Sequence, residues 1–279
     1  MLLIPDSTVA NSAAHLVSGI LGVYGVISSI EMLSRRHAFG PGGLLSWDAL
    51  SLNFRQPRRG LVAKGLSKVY SYKGTHVVLA VRAAASLFLV VGFPWNLNFF
   101  MLAVIVFSGT NLLLSHRNCY GNDGADQMAM ITGTALSIGF LAGSRTSIAL
   151  ALLFIAFQVQ LAYMTSGTAK FLSRKWRNGT GLQGVIATNA FGNSPIRMIL
   201  VRNRHLAQVS SWAVMITLIL FTPLVWLGSG SAILALGLCG IFHIFNAVVM
   251  RLHTFVWAFS ATYPAVWFAR EYAFKLFQH

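Results

Sequence analysis

Thr146-Ser-Ile-Ala-Leu-Ala-Leu-Leu-Phe-Ile-Ala-Phe-Gln158-Val-Gln160-Leu-Ala-Tyr163-Met-Thr-Ser-Gly167-Thr-Ala-Lys170-Phe171 runs from Thr146 to Ala169 without a charged side chain. At 1.5 Å per residue such a run spans roughly the 30 Å of a bilayer's hydrocarbon core. Working outward from it, similar apolar stretches fall near 13–34, 76–93, 97–115, 126–143, 208–228, 232–250 and 253–269. The last two follow each other with little punctuation, so the pattern predicts seven or eight spans. The expected fold is all-α, a polytopic helical membrane bundle forming a single transmembrane domain over 1–279.

Composition points the same way. Of 279 residues 56% are hydrophobic and 10% charged, against about 25% charged in a soluble domain. Disorder needs the opposite composition. The formal charge is +15, from 21 Lys and Arg against 6 Asp and Glu. In a soluble chain that excess would suggest nucleic acid; here it sits between apolar stretches and predicts no nucleic-acid partner. Fifteen of the basic residues lie in just three connections, 35–75, 116–125 and 174–206. By the positive-inside rule those connections are cytoplasmic and the N-terminus lies outside. Met1–Ala14 lacks the basic start and small-residue cleavage site of a removable signal. The first helix is therefore expected to insert the chain. Cys119 and Cys239 form no disulfide framework and read as two inert thiols.

Two of the basic connections are too long and too apolar for plain loops. Gly43–Phe54, ending in Arg55-Gln-Pro-Arg-Arg59, reads as an interfacial or partly buried segment. The stretch 178–196, rich in glycine, reads as interfacial or re-entrant, the latter only where protein shields its backbone. The bilayer, with its anionic lipid, is the partner those charges imply.

Polar side chains inside spans are costly and usually face the bundle interior. Gln160, Tyr163, Gly167 and Lys170 stand 3, 4 and 3 residues apart and so share a helix face. Gly167 would admit a partner or ligand at close range. Lys170 has two readings. It snorkels to the interface beside Arg174 and Lys175, or its amine is buried and serves as a base.

A second stripe is Phe242-His243-Ile-Phe-Asn246-Ala-Val-Val-Met-Arg251-Leu-His253. In a continuous helix His243, Asn246 and His253 share a face, suited to proton transfer, to ligand binding or simply to an interhelical hydrogen bond. Cys239 stands four residues before His243, but no further Cys or carboxylate completes a ligand set nearby, and no metal site is predicted. A third feature is Asn122-Asp123-Gly-Ala-Asp126, where Asn122 or Asp123 would cap the fourth span and Asp126 would favour its first turn. Asp123 and Asp126 are also natural partners for a buried cation, and Glu31 and Arg82 could form another such pair. A phosphate-cradling loop, a GxSxG elbow and an HExxH pair are all missing.

In this order the motifs resemble a known family. Tyr163-x-x-x-Gly167-x-x-Lys170, then Trp176-x-x-Gly179, then Phe242-His243-x-x-Asn246 resemble the HTTM family, whose membrane domain is shared with vitamin K-dependent gamma-carboxylase. Asn122–Asp126 is similar to the family's helix start, and Leu252–Ala265 to bacterial members, so that the likeness covers nearly the whole chain. The resemblance implies an integral membrane enzyme that uses a reduced, vitamin K-like quinone. Lys170 would be the base and His243 would assist it. Tyr163, Gly167, Asn246, Trp176, Asp123, Asp126 and His253 would bind substrate or quinol.

The chain departs from the animal carboxylase in three respects. It has no large lumenal domain, it has Ala169-Lys170 for a double lysine, and Asp123 stands near the place of a histidine. Short bacterial members resemble maturation proteins of sporulation-delaying-type antimicrobial peptides. That implies a peptide or small-molecule substrate and a bacterial cytoplasmic membrane. A non-enzymatic partner of a peptide system, acting in immunity, export or scaffolding, is the other reading.

Overall fold

The computed structural model describes residues 7–53, 60–91, 97–118, 122–188 and 195–277. Every regular element among the described residues is helical. Six helices are long and apolar enough to cross a membrane: α1 (Ser7–Ser34), α4 (Tyr72–Val91), α5 (Leu97–Arg117), α7 (Arg145–Leu172), α11 (Arg204–Leu227) and α12 (Ser229–Met250). Between them lie α2 (Trp47–Leu50), α3 (Leu61–Tyr70), α6 (Gly124–Leu141), α8 (Arg174–Arg177), α9 (Thr180–Ala187) and α10 (Pro195–Arg202), with α13 (His253–Ser260) and α14 (Tyr263–Phe277) at the end. Cys119 and the stretch Phe54–Arg59 lie outside the described residues.

The two further spans expected at 126–143 and 253–269 take other forms. α6 has only 18 residues, about 27 Å at helical rise. Its first turn is polar, containing Asp126 and Gln127, and it packs between α5 and α7. The final segment is broken in two. Pro264 has no N–H to give the Ser260 carbonyl, and the chain turns at Ala261–Thr262 before α14 begins.

Apolar contact between helices gains little in lipid, so close approach has to come from small residues. α1 follows that rule. A Cβ on Gly22 would stand 2.7 Å from the Ser86 carbonyl oxygen, and one on Gly25 would run into Ser86 and Phe107. Ala10, Ala13, Ala14, Val17, Leu21 and Tyr24 of α1 are buried in the main core, and α4, α7, α13 and α14 all pack against this helix. Across α5 and α6, Ser137 Oγ donates to Ser108 Oγ at 2.9 Å. The outer faces carry large exposed apolar residues such as Leu16, Val77, Phe99, Leu150 and Ile233, as expected where lipid is the solvent.

Three arginines are buried as fasteners. Arg117 is 1% exposed; it donates to the carbonyls of Tyr70 and Leu45 and to Asn118 Oδ1, with Phe39 beneath its guanidinium. It ties the segment before α4 to the end of α5. Arg197 on α10 donates to the carbonyls of Ile186, Ala187 and Thr188, closing the C-terminus of α9. Arg82 donates to Ser29, Asn111, Ser28 and Met32. The expected pairing of Arg82 with Glu31 does not form. Arg270–Glu271 is the one ion pair within 4 Å among the described residues.

Candidate functional site

A cavity of about 430 Å³ lies where the C-terminal halves of α7 and α12 face the first turns of α6 and α13. Tyr163, Lys170, Trp176, His243 and Asn246 all line it, together with Ser166, Gln158 and Gln127. The remaining wall is apolar, built from residues such as Leu218, Phe242, Phe255 and Phe259. A few polar groups on an apolar wall are what a small-molecule site requires.

The innermost polar pair is Tyr163 and His243, 2% and 1% exposed. Tyr163 Oη lies 2.8 Å from His243 Nε2 and 3.5 Å from Tyr263 Oη. The imidazole stacks on Phe259 with ring centres 4.4 Å apart, and Tyr163 stacks on the same ring at 5.4 Å. Ring contacts with Phe259, Phe255, Phe242 and Tyr163, and one hydrogen bond, therefore fix the imidazole. Its other nitrogen, Nδ1, is buried without a hydrogen-bond partner among the described residues. An orphaned donor or acceptor of that kind costs about 1–3 kcal/mol, which a hydrogen-bonding ligand in the cavity would recover.

Lys170 sits two turns nearer the end of α7. Its Nζ donates to Ser166 Oγ at 2.5 Å and to the Ser166 carbonyl at 3.4 Å, and stands 5.2 Å from the centre of the Trp176 ring. It forms no ion pair within 4 Å among the described residues. Half-buried Lys170 thus stands at the cavity wall, held there by an indole and a hydroxyl.

The local sequence explains how Trp176 gets there. α7 stops at Ser173, and α8 is a single turn that folds back. Gly179 then takes φ +82°, the left-handed region where glycine is least strained. Its lack of a side chain also matters, since a Cβ would lie 2.7 Å from the Gln208 backbone nitrogen. α11 holds the turn: Gln208 Nε2 and Trp212 Nε1 donate to the Arg177 carbonyl, and Ser211 Oγ donates to that of Trp176.

The stripe on α7 divides between two jobs. Gln160 accepts a hydrogen bond from Trp226 Nε1 at 2.8 Å, and Gly167 lets α11 close in, with Leu218 and Ile219 about 3 Å from where a Cβ would sit. Both are packing positions, and only Tyr163 and Lys170 of the stripe reach the cavity. α12 likewise ends sooner than a shared His243–Asn246–His253 face requires. Arg251, at φ 58°, breaks it, leaving His253 exposed at the start of α13 and outside the cavity lining.

Asp123 and Asp126 lie at a different cavity. Asp123 Oδ1 accepts from the backbone of Ala125 and Asp126, and Asp126 Oδ2 from the backbone of Asp123, a reciprocal cap on α6. Burial, then the neighbouring Asp126, raises the Asp123 pKa above the usual carboxylate range. The Lys170 cavity also contains groups that sequence spacing did not single out. Ser166 had a readable signal, four residues before Lys170. Phe259 had none, because it belongs to a different helix. Among the described residues no three His, Cys, Asp or Glu side chains gather as a metal-ligand set.

Long apolar helices, small-residue contacts and a partly polar cavity inside the bundle mark an integral membrane protein. Residues 139–271, just under half of the chain, match the family model described as the HTTM domain. The match contains Tyr163, Lys170, Trp176, His243 and Asn246, whereas the α6 cap lies before it. No curated protein and no solved structure matches the chain.

Proposed function

We propose that the chain is a membrane enzyme in which Lys170 is the base and Tyr163–His243 the assisting pair, acting on a lipid-soluble reduced quinone to modify a peptide. The observation that carries this reading is the convergence of Lys170, Tyr163, His243, Asn246 and Trp176 on one largely apolar cavity. The cavity fits such a ring in three ways. Its volume lies within the usual range for small-molecule sites, Phe255 and Phe259 offer flat faces, and His243 Nδ1 is an unanswered polar atom.

A reduced quinone supplies acidic hydroxyls and electrons when bound. Lys170 Nζ is placed to accept a proton, with Ser166 Oγ positioning the amine. Tyr163 fixes the imidazole of His243, so that Nδ1 can donate to or accept from a ligand oxygen. Asn246, one turn further along α12, offers an amide to the same cavity. The phenylalanines exclude water from the transfer.

The test is mass spectrometry of a co-expressed peptide precursor with the wild-type chain and with Lys170→Met and Lys170→Arg. Loss of a general base typically costs 10²–10⁴-fold in rate. Both variants should therefore lose the product while remaining inserted and folded. A product retained at full yield in Lys170→Met would remove the base assignment.

A further inference from the structure

On the other side of the first turn of α6 lies a second cavity of about 220 Å³, bounded by α1, α4, α5 and the start of α13. Its lining is strongly charged. Arg82 contributes a guanidinium from α4 and Asn111 an amide from α5, while Glu31, Asp123 and Asp126 contribute carboxylates from α1 and the start of α6. Arg35 joins them from the end of α1.

Arg82 is 2% exposed, and all of its acceptors are neutral: two serine hydroxyls, the Asn111 carbonyl oxygen and a methionine sulfur. Asp126 acts on this charge only from behind Tyr24, and a buried cation with no carboxylate in contact is expensive. Asn111 is 5% exposed, and its Nδ2 has no hydrogen-bond partner among the described residues. The structure thus places a full positive charge and a spare N–H donor together at a polar hollow. The three carboxylates are also unpaired with any cation within 4 Å. Asp126 accepts from Tyr24 Oη at 2.6 Å, and Glu31 makes no ion pair within 4 Å among the described residues.

A simple anion would satisfy Arg82 and be repelled by three carboxylates. A simple cation would meet the reverse problem. We propose that this second cavity binds a compact zwitterion carrying a primary amine and an oxyanion, with the oxyanion on Arg82 and Asn111 and the ammonium toward Glu31, Asp123 and Asp126. Two sources share that chemistry, a free amino acid-like molecule and an aminophosphate headgroup. The site is independent of the quinone reading, because binding is scored without turnover.

The experiment uses the purified full chain in a neutral detergent and follows its thermal unfolding against added β-alanine, O-phosphoethanolamine, acetate and ethylammonium. Either zwitterion should raise the midpoint saturably, while acetate and ethylammonium, tested singly at the same concentration, should not. Stabilisation by β-alanine would identify a free small-molecule site. Stabilisation by O-phosphoethanolamine alone would identify a headgroup site. Asn111→Ala should weaken binding by about ten- to a hundredfold, the loss of a hydrogen bond to a charged group. Glu31→Gln, at the half-exposed edge, should weaken it severalfold without disturbing a buried hydrogen bond. The proposal is overturned if neither zwitterion shifts the midpoint, if acetate or ethylammonium does so equally well, or if Glu31→Gln leaves the affinity unchanged.

Discussion

Tyr163 Oη and His243 Nε2 stand 2.8 Å apart, joining α7 to α12 across 80 residues of sequence. The bond leaves Nδ1 as the imidazole's free end whichever atom holds the proton. If Tyr163 donates, the neutral ring carries its hydrogen on Nδ1; if Nε2–H donates, Nδ1 is an acceptor. Either tautomer presents one defined polar group, and the Phe259 ring fixes its direction.

Tyr163→Phe tests this pairing directly. It keeps the stacking on Phe259 and removes only the hydroxyl, so Nε2 joins Nδ1 as an unpaired buried atom. The expected loss of stability is about 1–3 kcal/mol, with product formation falling as the ring loses its fixed orientation. Thermal unfolding and peptide mass spectrometry on the same preparation would read both. An unchanged melting temperature together with unchanged product would show that the bond does neither job.

Gly179→Ala addresses how Trp176 is placed. Alanine at φ +82° is strained by roughly 1–2 kcal/mol, and its Cβ would also press on the Gln208 backbone, 2.7 Å away. Destabilisation of about 2 kcal/mol or more is expected. Trp176 should shift away from Lys170, which tryptophan fluorescence would report. Gly184→Ala, inside α9 where a Cβ meets nothing within 4 Å, is the control and should stabilise by up to about 1 kcal/mol.

The cap on α6 has a pH signature. Burial, reinforced by Asp126, raises the Asp123 pKa in the folded chain, so the folded state holds this proton more tightly than the unfolded state does. Its contribution is present below the ordinary carboxylate value and is lost as pH rises through the elevated one. Asparagine caps a helix about as well as aspartate. Asp123→Asn should therefore keep α6 intact and remove that part of the slope of stability against pH in the mildly acidic range. An identical slope in wild type and variant would mean that Asp123 does not titrate there.

How much of this was legible in the sequence depended on whether one helix or two were involved. The polar stripe on α7 was readable because 3.6-residue periodicity belongs to a single segment, and so Tyr163 and Lys170 stood out. Which stripe members would meet α11 was not readable: Gln160 and Gly167 have the same spacing and serve packing, because the partner helix decides. The placing of His253 failed because one residue, Arg251, adopts a left-handed conformation that nothing local to an arginine signals. The apolar segments expected at 126–143 and 253–269 do form helices, but their form was not legible: α6 has 18 residues and a polar first turn, and the last segment is divided into α13 and α14 before Pro264. The resemblance read across nearly the whole chain is matched over 139–271 only, where the lysine and histidine motifs both fall.

The buried arginines give the sharpest contrast between charge counted in sequence and charge seen in the fold. Arg117 and Arg174 both belong to the basic connections, yet Arg174 is exposed and Arg117 is 1% exposed, holding two carbonyls and Asn118. Arg117→Met keeps much of the apolar stem over Phe39 but orphans the Leu45 carbonyl and Asn118 Oδ1, while the Tyr70 carbonyl keeps Thr75 Oγ1. A loss of about 2–4 kcal/mol is expected, from two unpaired buried groups at about 1–2 kcal/mol each. Lysine should rescue little, because one ammonium cannot span a fork that reaches three acceptors in different directions. Arg174→Ala removes the same unit of charge from the surface and should change stability by under about 0.5 kcal/mol. Comparing the melting temperatures of the two variants separates a fastener from a topological charge. Equal effects would place Arg117 among the topological charges after all.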